Sequence, residues 1–413
     1  MPHDALTWPK EGNSRVPYRV FSDPEIYSTE LKRIFLGPTW QFLVIADELP
    51  RPGDYKTTFL GETPVIVTRG EDGEIHAMVN RCAHRGNLVC LKRQGHADLL
   101  TCVYHSWSYD LAGNLKSVAF RRGVGGKGGM PENFRLEEHG LQRLRIDHFA
   151  GLVFGTLSQE APPLSDYIGN QIGARLGRVL HGKPKILGTT SQVLRNNWKL
   201  YLENVKDTYH ATLLHTFFAT FRVSRLTAGG GVLVGETGGN HVSYTRGKTD
   251  IVGGQANSDK LYQGIQSIHD GLRLKDPRLL EDRPEFGDDV TVQILSVFPN
   301  FVVQQIHNSI ALRLVLPKGP EETELQWIYL GFEDDDAEMT ELRLLQSNLV
   351  GPAGYVSMED GAVGGFVQRA IVGGEEECSV IAMGGDEHAS ADTRATEASV
   401  RGFWQAYRPL MGL

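Results

Sequence analysis

Cys82, His84, Cys102 and His105 are spaced C-x-H-x17-C-x2-H, a pattern that few chemistries explain. Each pair joins one thiol to one imidazole, and a strand-length insert separates the pairs. A two-iron cluster with one iron on two thiolates and the other on two imidazoles needs this set. Thiolate is soft and anionic and suits the buried ferric site, while neutral imidazole lowers the net charge and raises the reduction potential. The same four residues could hold zinc, but zinc pairs usually repeat one ligand type, typically as C-x2–4-C and H-x3–5-H. The tight, mixed pairs therefore predict a Rieske-type [2Fe-2S] cluster.

A second set lies in NNWKLYLENVKDTYHATLLHTFF, where Asp207, His210 and His215 read D-x2-H-x4-H. The segment from Asn196 to His215 is expected to be helical, with Trp198, Tyr201, Leu202 and Val205 near one face. Asp207 and His210 would share a helix face. His215 turns away on an ideal helix, so both imidazoles meet one ion only if the helix kinks or ends between them. Two ordinary helix histidines would look the same in isolation. A one-electron cluster does no chemistry on a substrate, however, and must deliver its electrons to a second centre. Two histidines and a carboxylate, with coordination positions left open, are what a non-haem Fe(II) needs to bind oxygen beside a substrate. GPAGYVSMEDGAVGGFVQ offers that carboxylate as Glu359 or Asp360, and spacing alone does not choose between them.

These residues need elements to position them. Asp23 can cap a helix that Pro24 opens, with Ile26, Leu31, Ile34 and Phe35 as its apolar stripe. From about Gln41 short β-rich runs alternate with turn material such as Arg51-Pro52-Gly53 and Glu71-Asp72-Gly73, and the cadence lasts to GLVFGTL. Residues 39–158 thus form an all-β domain that contains both cluster pairs. The glycine-rich run RRGVGGKGGM (121–130) lacks the GK[ST] ending of a phosphate loop and reads as a flexible loop. Residues 1–38 and 159–413 form the second domain. Its strands VTVQILSVF, NFVVQQI, SIALRLVL and ELQWIYLGF suit an antiparallel sheet, with a helix near 335–348 and another closing the chain after Ser390. Strands in runs with helices at the ends argue for α+β architecture.

The 413 residues allow two or three domains. A net charge of -8 and a pI near 6.0 give no basic face for nucleic acid. They also require local cations to attract an anionic substrate. No run approaches the roughly 18 apolar residues of a membrane span. The stretch MPHDALTWPKEGNSRVP is too polar for a secretory signal. Cys90 and Cys378 read as buried free thiols, so the expected location is the cytoplasm.

The motifs CAHRG…CVYHSW and NNWKLYLENVKDTYHATLLH, with the late carboxylate region, resemble in order those of the large (α) subunits of bacterial Rieske aromatic ring-hydroxylating oxygenases. The likeness covers almost the whole chain. It implies an all-β Rieske domain inserted near the N-terminus of an α+β, helix-grip catalytic domain with an antiparallel sheet. It implies Cys82 and Cys102 on one cluster iron, His84 and His105 on the other, and His210, His215 and Asp360 on a mononuclear Fe(II). Asp207 would bridge one subunit's Rieske histidine to an iron-ligand histidine of its neighbour, which requires head-to-tail subunits in a closed α3 or α3β3 ring, the latter with a small β subunit. Electrons would come from NAD(P)H through a separate flavin/iron–sulfur reductase, since the chain has no dinucleotide fingerprint.

ENVKDTYHATLLHTFF, SMEDGAVGGFVQR and DTRATEASVRGFW resemble the members of the family that act on terephthalate, with salicylate 5-hydroxylation as the neighbouring activity. The implied reaction adds both atoms of O2 across a carboxylate-bearing ring carbon and its neighbour. A flat dianion has one carboxylate at each end, and burying either one unpaired is costly. Two well-separated arginines answer that need. The candidates are Arg313, in the apolar strand SIALRLVL, and Arg394, placed in the last helix. A monohydroxylase of another aryl carboxylate would share every iron ligand. A zinc-stabilised binding module or a bare electron carrier is the non-catalytic alternative.

Overall fold

The computed structural model describes residues 6–247, 255–269 and 271–413, so the first five residues of the polar N-terminal stretch lie outside the described residues. Two compact units result, Phe35–Leu164 and a second made of Met1–Ile34 with Ser165–Leu413. The sequence boundaries were 39–158 and its flanks.

In the smaller unit the β-rich runs become three antiparallel sheets. One has four strands, ordered Ile75–Val79, Thr63–Arg69, Asp54–Leu60 and Gln94–His96. Another pairs Leu100–Thr101, Ser108–Tyr109 and Leu115–Ser117. The third pairs Arg145–Phe149, Leu152–Thr156 and Gln41–Ile45. The run 121–130 is an irregular loop closed by a bridge between Val124 and Lys127.

The larger unit is built on a seven-stranded antiparallel sheet. Its order is Pro184–Leu194, Thr323–Phe332, Ser309–Pro317, Phe301–Ile306, Val290–Val297, His241–Arg246 and Gly230–Val234. Four of these strands carry the apolar patterns expected of them. All nine residues of Ser309–Pro317 are buried, Arg313 among them. The helix Trp198–Lys206 lies against His241–Arg246, Val290–Val297 and Ser309–Pro317 and beside the helix Tyr355–Ala370. The early helix runs Pro24–Glu30, and the Asp23 carboxylate caps the amides of Glu25 and Ile26.

Three expectations need correction. The helix predicted over Asn196–His215 is three short helices, Trp198–Lys206, Ala211–Leu214 and Thr216–Phe221. Tyr355–Ala370 is a full helix where the sequence suggested only a glycine-rich setting. Arg394 lies in a bend before the last helix, Ala398–Met411, because the chain still lacks helical backbone there. Cys90 is buried and Cys378 only partly so; both are free thiols.

Candidate metal centres and substrate cavity

The two Cys–His loops of the smaller unit share one backbone plan. The Cys82 amide donates to the Asn87 carbonyl at 2.8 Å and the Gly86 amide to the Cys82 carbonyl at 2.9 Å. Likewise the Cys102 amide donates to the Trp107 carbonyl at 2.9 Å and the Ser106 amide to the Cys102 carbonyl at 3.0 Å. Each loop turns through a left-handed residue, Gly86 at φ 73° and Ser106 at φ 53°. Glycine takes that conformation freely, but a serine there is uncommon.

This plan sinks both thiols and leaves the imidazoles outward. Cys82 and Cys102 are 4% and 2% exposed, while His84 is exposed and His105 half-buried. The His84 and His105 rings lie 4.5 Å apart, and His84 stacks on Trp107 at 4.8 Å. Tyr109 Oη lies 3.2 Å from Cys82 Sγ, and Asn87 Nδ2 is 3.7 Å from Cys102 Sγ. Burial pushes the Cys102 thiol up, but the amides of Tyr104 and His105 and the Asn87 side chain outweigh it and favour the thiolate. His105 Nδ1 is buried with no partner among the described residues. Two buried thiols, one of them held toward thiolate, and an imidazole nitrogen left unbonded suit an iron–sulfur cluster.

In the larger unit the end of Trp198–Lys206 makes the second site. Asp207 is extended (φ −77°, ψ 115°), so the chain leaves the helix at that residue. Its carboxylate accepts the Tyr209 amide at 2.7 Å and the His210 amide at 3.3 Å, a local turn in place of a helix face. His215 is also extended, between Ala211–Leu214 and Thr216–Phe221. The breaks swing both imidazoles toward Asp360 on Tyr355–Ala370. His210 Nε2 and His215 Nε2 lie 3.4 and 3.3 Å from Asp360 Oδ1. One donor atom from each of the three residues falls within 4.8 Å of the others.

Glu359 does something else. It accepts from His215 Nδ1 at 2.8 Å and from the Thr216 amide at 3.2 Å. Asp207 meets His210 Nδ1 at 3.1 Å. Each imidazole thus turns one nitrogen to Asp360 and the other to its own carboxylate, which fixes its tautomer and orientation. Burial disfavours a charged His210, but the Asp207 and Asp360 carboxylates prevail and lift its pKa to about 10. A largely buried site whose carboxylates favour positive charge suits a divalent cation, and two imidazoles with one carboxylate suit ferrous iron. Asn204, which the sequence reading did not single out, donates to Asp360 Oδ1 at 3.2 Å. Glu359→Gln should weaken iron retention by about 10- to 100-fold with the cluster intact, since His215 loses its orienting anion. Metal analysis after dialysis against a chelator reads this, and wild-type retention would make Glu359 a spectator.

Arg313 and Arg394 line the same cavity as His210, His215 and Asp360. Each is 4% exposed, and neither is paired with a carboxylate among the described residues. Arg313 donates to Tyr201 Oη at 2.7 Å and stacks on Trp327 at 4.9 Å. Arg394 donates to Ser224 Oγ and to the Arg225 carbonyl. Burial pulls its pKa down to about 10, still cationic at neutral pH.

Residues 39–124 match the Rieske [2Fe-2S] domain, and residues 182–412 match the catalytic domain of the ring-hydroxylating alpha subunit. The chain belongs to the ring-hydroxylating alpha-subunit family. These oxygenase subunits include the terephthalate 1,2-dioxygenase terminal oxygenase component subunit alpha 2 of Comamonas sp., 52% identical over 100% of this chain and 99% of that protein. The anthranilate 1,2-dioxygenase large subunit of Burkholderia cepacia is 46% identical over 98% of this chain and 95% of its own length. The fold matches the naphthalene 1,2-dioxygenase of Rhodococcus sp. with a TM-score of 0.78 at 24% identity, covering 96% of this chain and 94% of that one. As a ring-hydroxylating oxygenase the chain carries a Rieske [2Fe-2S] domain and a non-haem iron catalytic domain. No helix of the described residues is long and apolar enough to cross a membrane.

Proposed function

We propose that this chain is the large subunit of a terminal oxygenase that adds both atoms of O2 to terephthalate, giving a cis-dihydrodiol dicarboxylate. The observation that carries this reading is the pair of buried arginines, Arg313 and Arg394, in one cavity with His210, His215 and Asp360 and without acidic partners among the described residues. Buried guanidiniums are seldom left unpaired. A flat dianion supplies one carboxylate to each, and the 52% relative is named for that acid.

In this reading Cys82 and Cys102 hold one cluster iron and His84 and His105 the other, while His210, His215 and Asp360 hold the mononuclear iron. When bound, the cluster supplies electrons singly and the mononuclear iron supplies the oxygen-binding centre. The protein's own part is positional. Arg313 and Arg394 fix the ring, Asn204 and the outer carboxylates fix the ligands, and Asp207 links His210 to a Rieske histidine of the next subunit. Tyr104 and Val103 stand 53% and 67% exposed on the second cluster loop. Apolar side chains so placed suit a neighbouring subunit, in an α3 or α3β3 ring. A separate flavin/iron–sulfur reductase delivers electrons from NAD(P)H, and the cytoplasm is the compartment.

The test is product analysis under 18O2 with terephthalate, isophthalate, phthalate and salicylate. Terephthalate should give a diol carrying two labelled oxygens. A single labelled oxygen, or turnover of salicylate alone, would favour the second reading, hydroxylation of another aryl carboxylate.

A further inference from the structure

Three residues that line the substrate cavity each carry a side-chain N–H that is buried without a partner among the described residues: Arg313 at Nε, Arg394 at Nε and Gln304 at Nε2. The two arginines were expected from the sequence, but Gln304 was not. It is 3% exposed on the strand Phe301–Ile306. Cross-strand register fixes its place. Gln304 stands opposite Ile294 on one side and Ala311 on the other. Val302, two residues back, stands opposite Arg313. Side chains two apart on a strand share a face, so Gln304 and Arg313 share one and are diagonal neighbours, roughly 7–8 Å apart at the backbone. Ala311, directly across from Gln304, is too short to fill the space over the amide or to bond it. A buried amide N–H left unbonded is costly, and a native fold keeps one where an acceptor arrives from elsewhere.

We infer that Gln304, by a half-turn of its amide that exchanges nitrogen and oxygen, donates an N–H to the substrate carboxylate that Arg313 holds, so that one cation and one neutral donor grip that end of the ring. This rests on the aryl carboxylate reading and adds to it the residue that completes one clamp. Arg313 has committed one amino group to Tyr201. A carboxylate offers about four lone-pair sites, more than the rest of one guanidinium occupies. An amide fills a further site without placing a second cation beside the first, so the clamp gains direction and no repulsion.

Calorimetric titration of the iron-loaded, oxidised holoenzyme with terephthalate and with benzoate tests this in wild type, Gln304→Met and Gln304→Glu. Methionine keeps the length and removes the donor. Both acids should bind about 10- to 100-fold more weakly, by the same factor, with iron content and cluster spectrum unchanged. Glutamate should lose more, because carboxylate then faces carboxylate. Wild-type affinity in the Met protein would overturn the assignment, as would loss of iron or cluster, which marks a structural role. Loss for terephthalate alone would overturn it by placing Gln304 at the other end of the ring. A wild-type protein that binds neither acid overturns the carboxylate reading itself, and the wild-type titration alone shows it.

Discussion

Asp207→Asn should leave both metal centres filled and the cluster reducible, yet lower turnover by on the order of 100-fold or more. The Asp207 carboxylate already accepts His210 Nδ1 and two backbone amides, and 21% of its side chain stays open to solvent in the single chain. That opening leaves an oxygen lone pair for an imidazole N–H from another subunit. Asparagine keeps the shape and one acceptor but loses the charge, and its amide faces one imidazole with a donor. Steady-state product formation, iron content and the EPR signal of the reduced cluster, taken on one preparation, separate the cases. Iron loss like that of His210→Ala would make Asp207 a ligand. Near-normal turnover would reduce it to a residue that ends a helix.

The arginines should fail differently from one another. We assign Arg313 to the metal end of the cavity, because the Tyr201 hydroxyl that it bonds also feels the Asp360 carboxylate. We assign the distal end to Arg394, anchored by Ser224 and Arg225. Arg394→Ala leaves the distal carboxylate desolvated without a partner, a loss of roughly 2–5 kcal/mol in terephthalate binding. That is about 30-fold to several thousand-fold. Benzoate, with nothing at that end, should change little, so the preference between the two acids collapses. Arg313→Ala should lower kcat as well as raise KM for both acids, because the ring is no longer held for attack. The decisive measurement is kcat/KM for both acids on both variants. An equal effect of Arg394→Ala on the two acids, or none on either, would end the two-clamp model.

The cluster loops could be read from sequence because all four ligands sit in two short stretches, where spacing is geometry. The iron site was half legible. His210 and His215 stood out, and the break between them that a shared ion requires is present at His215, but the earlier break at Asp207 is one that the apolar pattern of Trp198–Val205 does not foretell. The helix Tyr355–Ala370 was hidden by glycines, each of which costs a helix about 1 kcal/mol relative to alanine. The structure shows why two of them are there. A Cβ on Gly364 would lie 2.1 Å from Asn196 Nδ2, and one on Gly361 would lie 2.9 Å from Leu194 Cδ2. Close packing was chosen over local propensity, and with the helix went the means to tell Asp360, which faces the imidazoles, from Glu359, which stands behind one. Pro184–Leu194 was missed for a plainer reason. It is an edge strand, mostly exposed or half-buried, with no apolar pattern to detect. Gln304 was invisible because its meaning lies in its place opposite Ala311 and diagonal to Arg313, not in its neighbours along the chain.

Asp207, His210, Asp360, His215 and Glu359 form a chain in which carboxylate and imidazole alternate. With neutral imidazoles its three carboxylates exceed the charge of a divalent ion by one. An anionic substrate would approach that surplus unaided only against repulsion. Two guanidiniums reverse the local sign, so a dianion is drawn in and, once seated, restores the original single negative charge. Take away the distal guanidinium and the distal carboxylate together, and the sum around the metal is the same. A di-acid enzyme and a mono-acid enzyme can therefore lie one substitution apart, with the iron experiencing the same local charge in both. Substrate range could drift across aryl acids along such a line without the redox chemistry having to be retuned at each step.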